Sequence, residues 1–160
     1  DFHNISIGCL LAPSAYKADD SALQRKRQFF ELYQNHLNKV RNKRREFVIC
    51  GNWNMIHTIA DIQDAQANAG VSGTSPEEQQ WMDQLFTEMG YIDAFREINT
   101  DNDEFTWWPE GDHEKDGWRV DYQVVSEGLK PVIEYGAIYK NQVFSDHAPL
   151  IMDYDYEIGV

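Results

Sequence analysis

Apolar residues recur along this chain in two rhythms. Between Asp20 and Val40, the residues Phe29, Phe30, Tyr33, Leu37 and Val40 return at intervals of one to four, which places them on one face of a helix. Asp20 or Ser21 is the expected cap. A second helix is predicted from "TSPEEQQWMDQLFTEMGY". Ser75 caps it, Pro76 suits its first turn and Glu78 completes a capping box. Trp81, Met82, Leu85 and Met89 form its buried stripe, and Gly90 stops it. A short helix is predicted over 92–98. Elsewhere, short apolar runs read as strands: 4–12 ("NISIGCLLA", ended by Pro13), 46–51, the stretch around "EFTWW", then "WRVDYQVVS" and "APLIMDYDY". Residues 56–74 make a polar connection rich in Ala and Gly, a length often associated with function. Helices first and strands after predict an α+β or layered α/β fold. No internal repeat, low-complexity tract or linker interrupts it.

With 160 residues, 42% hydrophobic and 13% aromatic, the chain suits one domain with a real core. No apolar run approaches the roughly 20 residues of a membrane helix, and no signal-peptide pattern is present. A cytoplasmic protein without membrane contact is expected, and Asp1 is not expected to be its native start. Cys9 and Cys50 sit in apolar strand-like runs, so two buried, reduced thiols are expected rather than a disulfide. The net charge of −13 argues against nucleic-acid binding on electrostatics alone. The charge is uneven, however. Residues 1–46 hold nine Lys and Arg against five acids, a balance of +4, which leaves −17 for the remainder. A polyanion-binding face around Lys39–Arg45 and a merely solvated helix end both fit that asymmetry.

The candidate chemistry lies at strand ends. No Gly-rich phosphate loop, Cys/His metal cluster or nucleophile elbow occurs. "EFVICGNWN" instead runs from a strand into Gly51 and two carboxamides, Asn52 and Asn54. Asp121 interrupts the apolar strand "RVDYQVV", where a carboxylate needs a partner. His147 of "FSDHAPL" is the natural one. An Asp that orients a His serves as a base or a phosphate-binding imidazolium, and equally as a structural pair.

"GNWN", "FTWW", "GWRVDY" and "SDHAP", in this order and with "SPEEQQWMDQL" and "GYIDAFRE" between them, resemble exonuclease III and its relatives in the endonuclease/exonuclease/phosphatase superfamily. The resemblance covers nearly the whole chain. It implies that residues 1–160 are the C-terminal portion of a single domain, a four-layer α/β/β/α sandwich, and that the N-terminal half, with a metal-binding Glu and a further Asn, is absent. It implies a Mg²⁺- or Mn²⁺-dependent cut of a phosphodiester at an abasic site or a 3′ end. Asn54 would orient the attacking water, Asp121 would hold His147, and Asp146 would assist with metal. Trp107 and Trp118 would wall the substrate pocket, and Asn68 would touch DNA. Two positions depart. Asn52 stands where the family has a proton-accepting Asp, and Leu11 where it has a phosphate-contacting Tyr. An amide has no carboxylate-like basicity.

A nuclease-dead branch, the catabolite repression control group, is similar in "RNKRREFVICG", "LLAPS", "FTWWP" and "HAPLIMDYDY". That likeness implies a nuclease-impaired, RNA-associated translational repressor partnered by an RNA chaperone. Asn54 and Asp146 belong to active enzymes and imply the alternative, an abasic-site endonuclease of base-excision repair. The resemblance further implies weak Mg²⁺ binding by these residues alone, and an apolar sheet face covered by the missing half or by another chain.

Overall fold

The computed structural model describes residues 1–159. Its elements follow the order β1 (Ile5–Leu11), α1 (Asp20–Val40), β2 (Glu46–Asn52), α2 (Pro76–Thr87), β3 (Ile92–Asp93), α3 (Ala94–Ile98), β4 (Asp121–Val125), β5 (Ile133–Ile138) and β6 (Leu150–Tyr154), with 3₁₀ turns at Ile59–Asp61 and Glu127–Val132. Four strands form one sheet in the order β1-β2-β4-β3, and β5 and β6 form a second. β1 runs parallel to β2, and every other ladder is antiparallel.

The period-two alternation of β2 decides what lies on each face. Ile49, with Tyr122 and Val124 of β4, packs under the helices against Phe30, Leu37, Met82, Leu85 and Met89. Val48 and Cys50 point the other way, toward Met152 and Tyr154 of the second sheet. The result is a helix layer, a central sheet and a second sheet, the layered α/β arrangement expected. Among the described residues no helix is long and apolar enough to cross a membrane.

Both long helices start as their caps dictate. Ser75 and Glu78 complete the capping box of α2. α1 is capped by Asp19, one residue before the expected position, because its carboxylate reaches the Ala22 N–H at 2.9 Å. Residues 92–98 divide in two: Ile92–Asp93 pair with β4, and Asp93 then caps α3. "EFTWW" makes only isolated bridges, Trp107 to Trp118 and Trp107 to His147. β5 was not foreseen, because "IEYGAI" alternates poorly. The expectation of two buried thiols fails in part: Cys9 is exposed and Cys50 half-buried.

A buried ionic cluster fixes the long connection. Arg119 is 1% exposed and bonds Asp61 at 2.8 Å and Asp93 at 2.7 Å. Arg96 adds a 2.7 Å bond to Asp61. Burial alone would raise the Asp61 pKa, but the Arg119 charge and these hydrogen bonds hold it below the ordinary carboxylate value. Its stabilisation is therefore present above that value and is lost as pH falls through the depressed one. Arg119 thereby anchors the chain two residues before β4 begins at Asp121.

β1 is an edge strand. Its face toward the second sheet carries Ile5, Ile7, Cys9 and Leu11, but only Ile5 is covered. Ile7 is 50% exposed and Leu11 78%. Apolar faces of this kind are normally occupied. The 160-residue chain alone is expected to bind an apolar-surface dye, and Ile7→Glu with Leu11→Glu is expected to remove most of that fluorescence. A dye-silent monomer would contradict this reading of β1.

Candidate functional site

β2 ends in a backbone corner. Gly51 adopts φ +139°, and a Cβ there would overlap the Leu10 carbonyl, so only glycine fits. Asn52 then lies in register with Leu11 on one side and Asp121 on the other. Its Oδ1 accepts the Asn54 N–H at 2.7 Å. Asn54 itself has φ +53°, a left-handed conformation that asparagine tolerates better than most residues. Its Nδ2 donates to the Ala12 carbonyl at 2.7 Å, which ties the corner to the end of β1. The two carboxamides therefore close this corner on themselves. The Asn54 Oδ1 has no partner among the described residues.

Lys26 holds the corner from below. Its side chain is 2% exposed, and its ammonium donates to the Asn54 carbonyl at 2.7 Å, to Ser72 Oγ at 3.1 Å and to Glu78 Oε1 at 2.6 Å. Glu78 Oε2 in turn accepts from the Gly73 N–H at 2.6 Å and from Ser75 Oγ at 2.8 Å. Burial presses the Lys26 pKa down, whereas Glu78 is held below its ordinary value despite its burial, chiefly by the Lys26 charge. Ser72 Oγ at 2.9 Å and the Ser75 N–H at 3.2 Å also donate to this carboxylate, so the charged pair is the state the geometry favours. Sequence reading missed Lys26; a lysine on the same helical stripe as Phe30 and Leu37 was the available signal.

Across from Asn52, His147 Nδ1 lies 2.7 Å from Asp121 Oδ2, the pairing expected. The His147 pKa is raised. Burial opposes the charged form, but the Asp121 hydrogen bond and the charges of Asp121 and Asp146 outweigh it. The stabilisation this pair gives is present below the ordinary imidazole value of 6.5 and is lost as pH rises through the raised one. Asp146 is exposed, and its Oδ2 accepts from Trp107 Nε1 at 3.1 Å. An open cleft of about 360 Å³ adjoins the pair, lined by Gly51, Asp121, Phe144 and His147 among others.

The aromatic wall also assembles. Trp107 stacks near His147 with centroids 6.1 Å apart and meets Trp118 edge-on at 5.4 Å. Tyr16, unremarked in the sequence, packs edge-on against both at 5.0 and 5.7 Å. Its place shortly after the "LLAPS" stretch was the available signal. Asn68 lies beside this wall, because the Asp116 Oδ1 that accepts from its Nδ2 also accepts from Trp118 Nε1 at 3.3 Å. It is 4% exposed, and its Nδ2 donates to the Asp64 carbonyl at 2.9 Å and to Asp116 at 2.6 Å, so its carboxamide braces the long connection internally. Leu11 points to open solvent beside Asn52 and fills no pocket formed by the described residues.

Mg²⁺ prefers several oxygen ligands in near-octahedral array. Among the described residues no group of three or more His, Cys, Asp or Glu side chains converges to hold a metal. Asp121 is committed to His147 and one Asp146 oxygen to Trp107. These residues do not make a complete metal site by themselves.

A central sheet with helices on one face and a second sheet on the other makes a layered sandwich, with the Asp–His pair at the end of the strands. Residues 3–147 match the Endonuclease/Exonuclease/phosphatase family, and the chain belongs to it. It is 28% identical over 154 residues to an exodeoxyribonuclease of Bacillus subtilis, covering 94% of this chain and 60% of that protein. It is 33% identical over 113 residues to the DNA repair nuclease APEX1 of Danio rerio, covering 68% and 36%. The chain thus spans less than two thirds of the length of these relatives. A 3′ phosphatase from Neisseria bound to a product DNA hairpin superposes with a TM-score of 0.84 at 20% identity, covering 96% of this chain and 62% of that one. An AP endonuclease from Archaeoglobus fulgidus does so at 0.84 and 21%, covering 95% and 62%. At such identities the superpositions show the fold.

Replacing Asp121 by Asn removes the charge that holds the imidazolium and leaves the burial that opposes it. The His147 titration midpoint, followed by NMR of the imidazole carbons, is expected to fall from its raised position, with the Asp146 charge alone left to oppose burial. An unchanged midpoint would mean that Asp121 does not set it.

Proposed function

We propose that the protein containing this chain acts on DNA phosphate esters as an exonuclease III or abasic-site endonuclease of base-excision repair, with a hydrolytic step slowed at Asn52. The observation that carries this reading is the Asp121–His147 pair at 2.7 Å, set in register across from Asn52 on the frame of a nuclease family. The relatives named exodeoxyribonuclease and DNA repair nuclease support it. In this reading the His147 imidazolium faces the phosphate, Asp121 orients it, and the Asn54 Oδ1, without a partner among the described residues, accepts a hydrogen bond from the attacking water. Trp107, Trp118 and Tyr16 wall the space beside the phosphate. Mg²⁺ belongs to the site of the whole protein, with Asp146 as this chain's donor. The uncovered β1 face supports reading the chain as the C-terminal portion of one domain, completed by a further layer. A cytoplasmic location is part of the same proposal.

The slowing follows from the chemistry of the amide. The Asn52 Oδ1 is occupied by the Asn54 N–H and could not take a proton at neutral pH in any case. Loss of a general base costs on the order of 10²–10⁴ in rate.

A second reading is favoured by one group of observations. Asn52, Leu11 and the exposed Lys39, Arg41, Lys43 and Arg44 at the far end of β2 suit a nuclease-impaired, RNA-associated translational repressor of the catabolite repression control type. Arg45 is less available, since it donates to the Phe2 and Ile5 carbonyls.

The test is cleavage of abasic duplex DNA in Mg²⁺ buffer by the full-length gene product. The parent is expected to cut slowly. Asn52→Asp is expected to raise the rate on the order of 10²-fold or more, with Leu11→Tyr adding less, and His147→Ala is expected to abolish both activities. No cleavage by any variant, together with retained RNA in a gel shift that is lost when Lys43 and Arg44 become Glu, would overturn the nuclease reading in favour of the repressor.

A further inference from the structure

The loop that follows Trp107 and Trp108 turns back on itself. Pro109 and Gly111 suit the second and fourth positions of a β-turn. The Gly111 N–H donates to the Trp108 carbonyl at 2.9 Å, and Gly111 has φ +72°, which glycine adopts without strain. Asp112 fixes the exit. Its Oδ1 accepts the Glu114 N–H at 3.1 Å, and its carbonyl accepts the Lys115 N–H at 3.0 Å. The turn delivers His113 onto Trp108, with ring centroids 3.9 Å apart and planes within 14° of each other. Trp108 is 3% exposed, so the imidazole rests on a fixed surface. Its Nε2 lies 3.0 Å from the Ser145 carbonyl. A carbonyl only accepts, so Nε2 carries the proton and donates.

That bond reaches the least regular segment around the site. Residues 141–146 are exposed and belong to no helix or strand, yet Asp146 sits against Trp107 and the next residue, His147, against Asp121. Three bonds tie this segment to residues 106–108. The Ala148 N–H donates to the Thr106 carbonyl at 2.8 Å, the Trp108 N–H to the Asp146 carbonyl at 2.9 Å, and Trp107 Nε1 to Asp146 Oδ2 at 3.1 Å. His113 adds a fourth, one residue upstream, at Ser145, whose Oγ accepts the His147 N–H at 3.0 Å. We propose that His113 is a positioning residue: it clamps the Ser145 carbonyl and so holds Asp146 against Trp107 and His147 against Asp121. The stack on Trp108 supplies its location and the Nε2–H supplies the bond. Substitution can separate the two. The consequence for cleavage rests on the nuclease reading above, and the positioning itself does not.

The test is NMR of the full-length gene product in metal-free buffer. It follows the Trp107 indole N–H bound to Asp146 and the His147 Nδ1–H bound to Asp121. His113→Phe keeps an aromatic ring on Trp108 and removes the donor, whereas His113→Gln keeps a donor. Both resonances are expected to shift and broaden by exchange with water in His113→Phe, and to return part of the way in His113→Gln. The melting temperature of His113→Phe is expected to stay close to the parent's. On abasic duplex DNA with Mg²⁺, kcat is expected to fall roughly 2- to 10-fold in His113→Phe, the weight of one net hydrogen bond, with partial rescue in His113→Gln. If the parent does not cleave, the nuclease reading falls and the NMR comparison still decides this proposal. Resonances in His113→Phe that match the parent's, or that are displaced as far in His113→Gln as in His113→Phe, would each overturn it.

Discussion

A buried ammonium organises this site. Lys26 lies on the inner face of α1 and has three acceptors, one from each segment that meets there: the Asn54 carbonyl of the corner, Ser72 of the long connection and Glu78 of α2. A charge held this far from water survives only with full pairing. The helix layer, the connection and the end of β2 are therefore not free to take independent positions. Removing one partner of such a pair costs about 3–5 kcal/mol, a large share of a domain's stability.

The corner's geometry is consequently separable from its chemistry. The turn closes through the Asn52 Oδ1, the Asn54 N–H and the Ala12 carbonyl, and an aspartate at position 52 would accept the same N–H. Amide and acid can exchange here with little change in backbone. What changes is basicity and charge at the corner. The Asp121–His147 pair and the Trp107–Trp118–Tyr16 wall stand on other elements, with Asp121 the register partner of position 52.

The sequence disclosed the parts of the fold that local rules govern. Ser75, Pro76 and Glu78 announced α2 because capping is a matter of a few adjacent residues. Asp121 announced its partner because a carboxylate in an apolar strand requires one. What stayed hidden depends on tertiary contact. Lys26 reads as a solvated helix residue until Glu78, distant in sequence, comes beneath it. Cys9 reads as buried because its run is apolar, yet its strand lies at an edge with no cover. The bonds from Asn68 to Asp64 and Asp116 likewise exist only once the long connection is folded.

Amide hydrogen exchange at Asn54 in Lys26→Met, measured by NMR beside the parent and Lys26→Arg, tests most directly whether Lys26 sets the corner. The expected result is that Asn54 loses protection in Lys26→Met well beyond the general loss at Ile49 and Val124 in the central strands, and recovers part of it in Lys26→Arg. Asn54 protection that falls only in step with Ile49 and Val124 would contradict the account and leave the corner to its local carboxamide bonds alone.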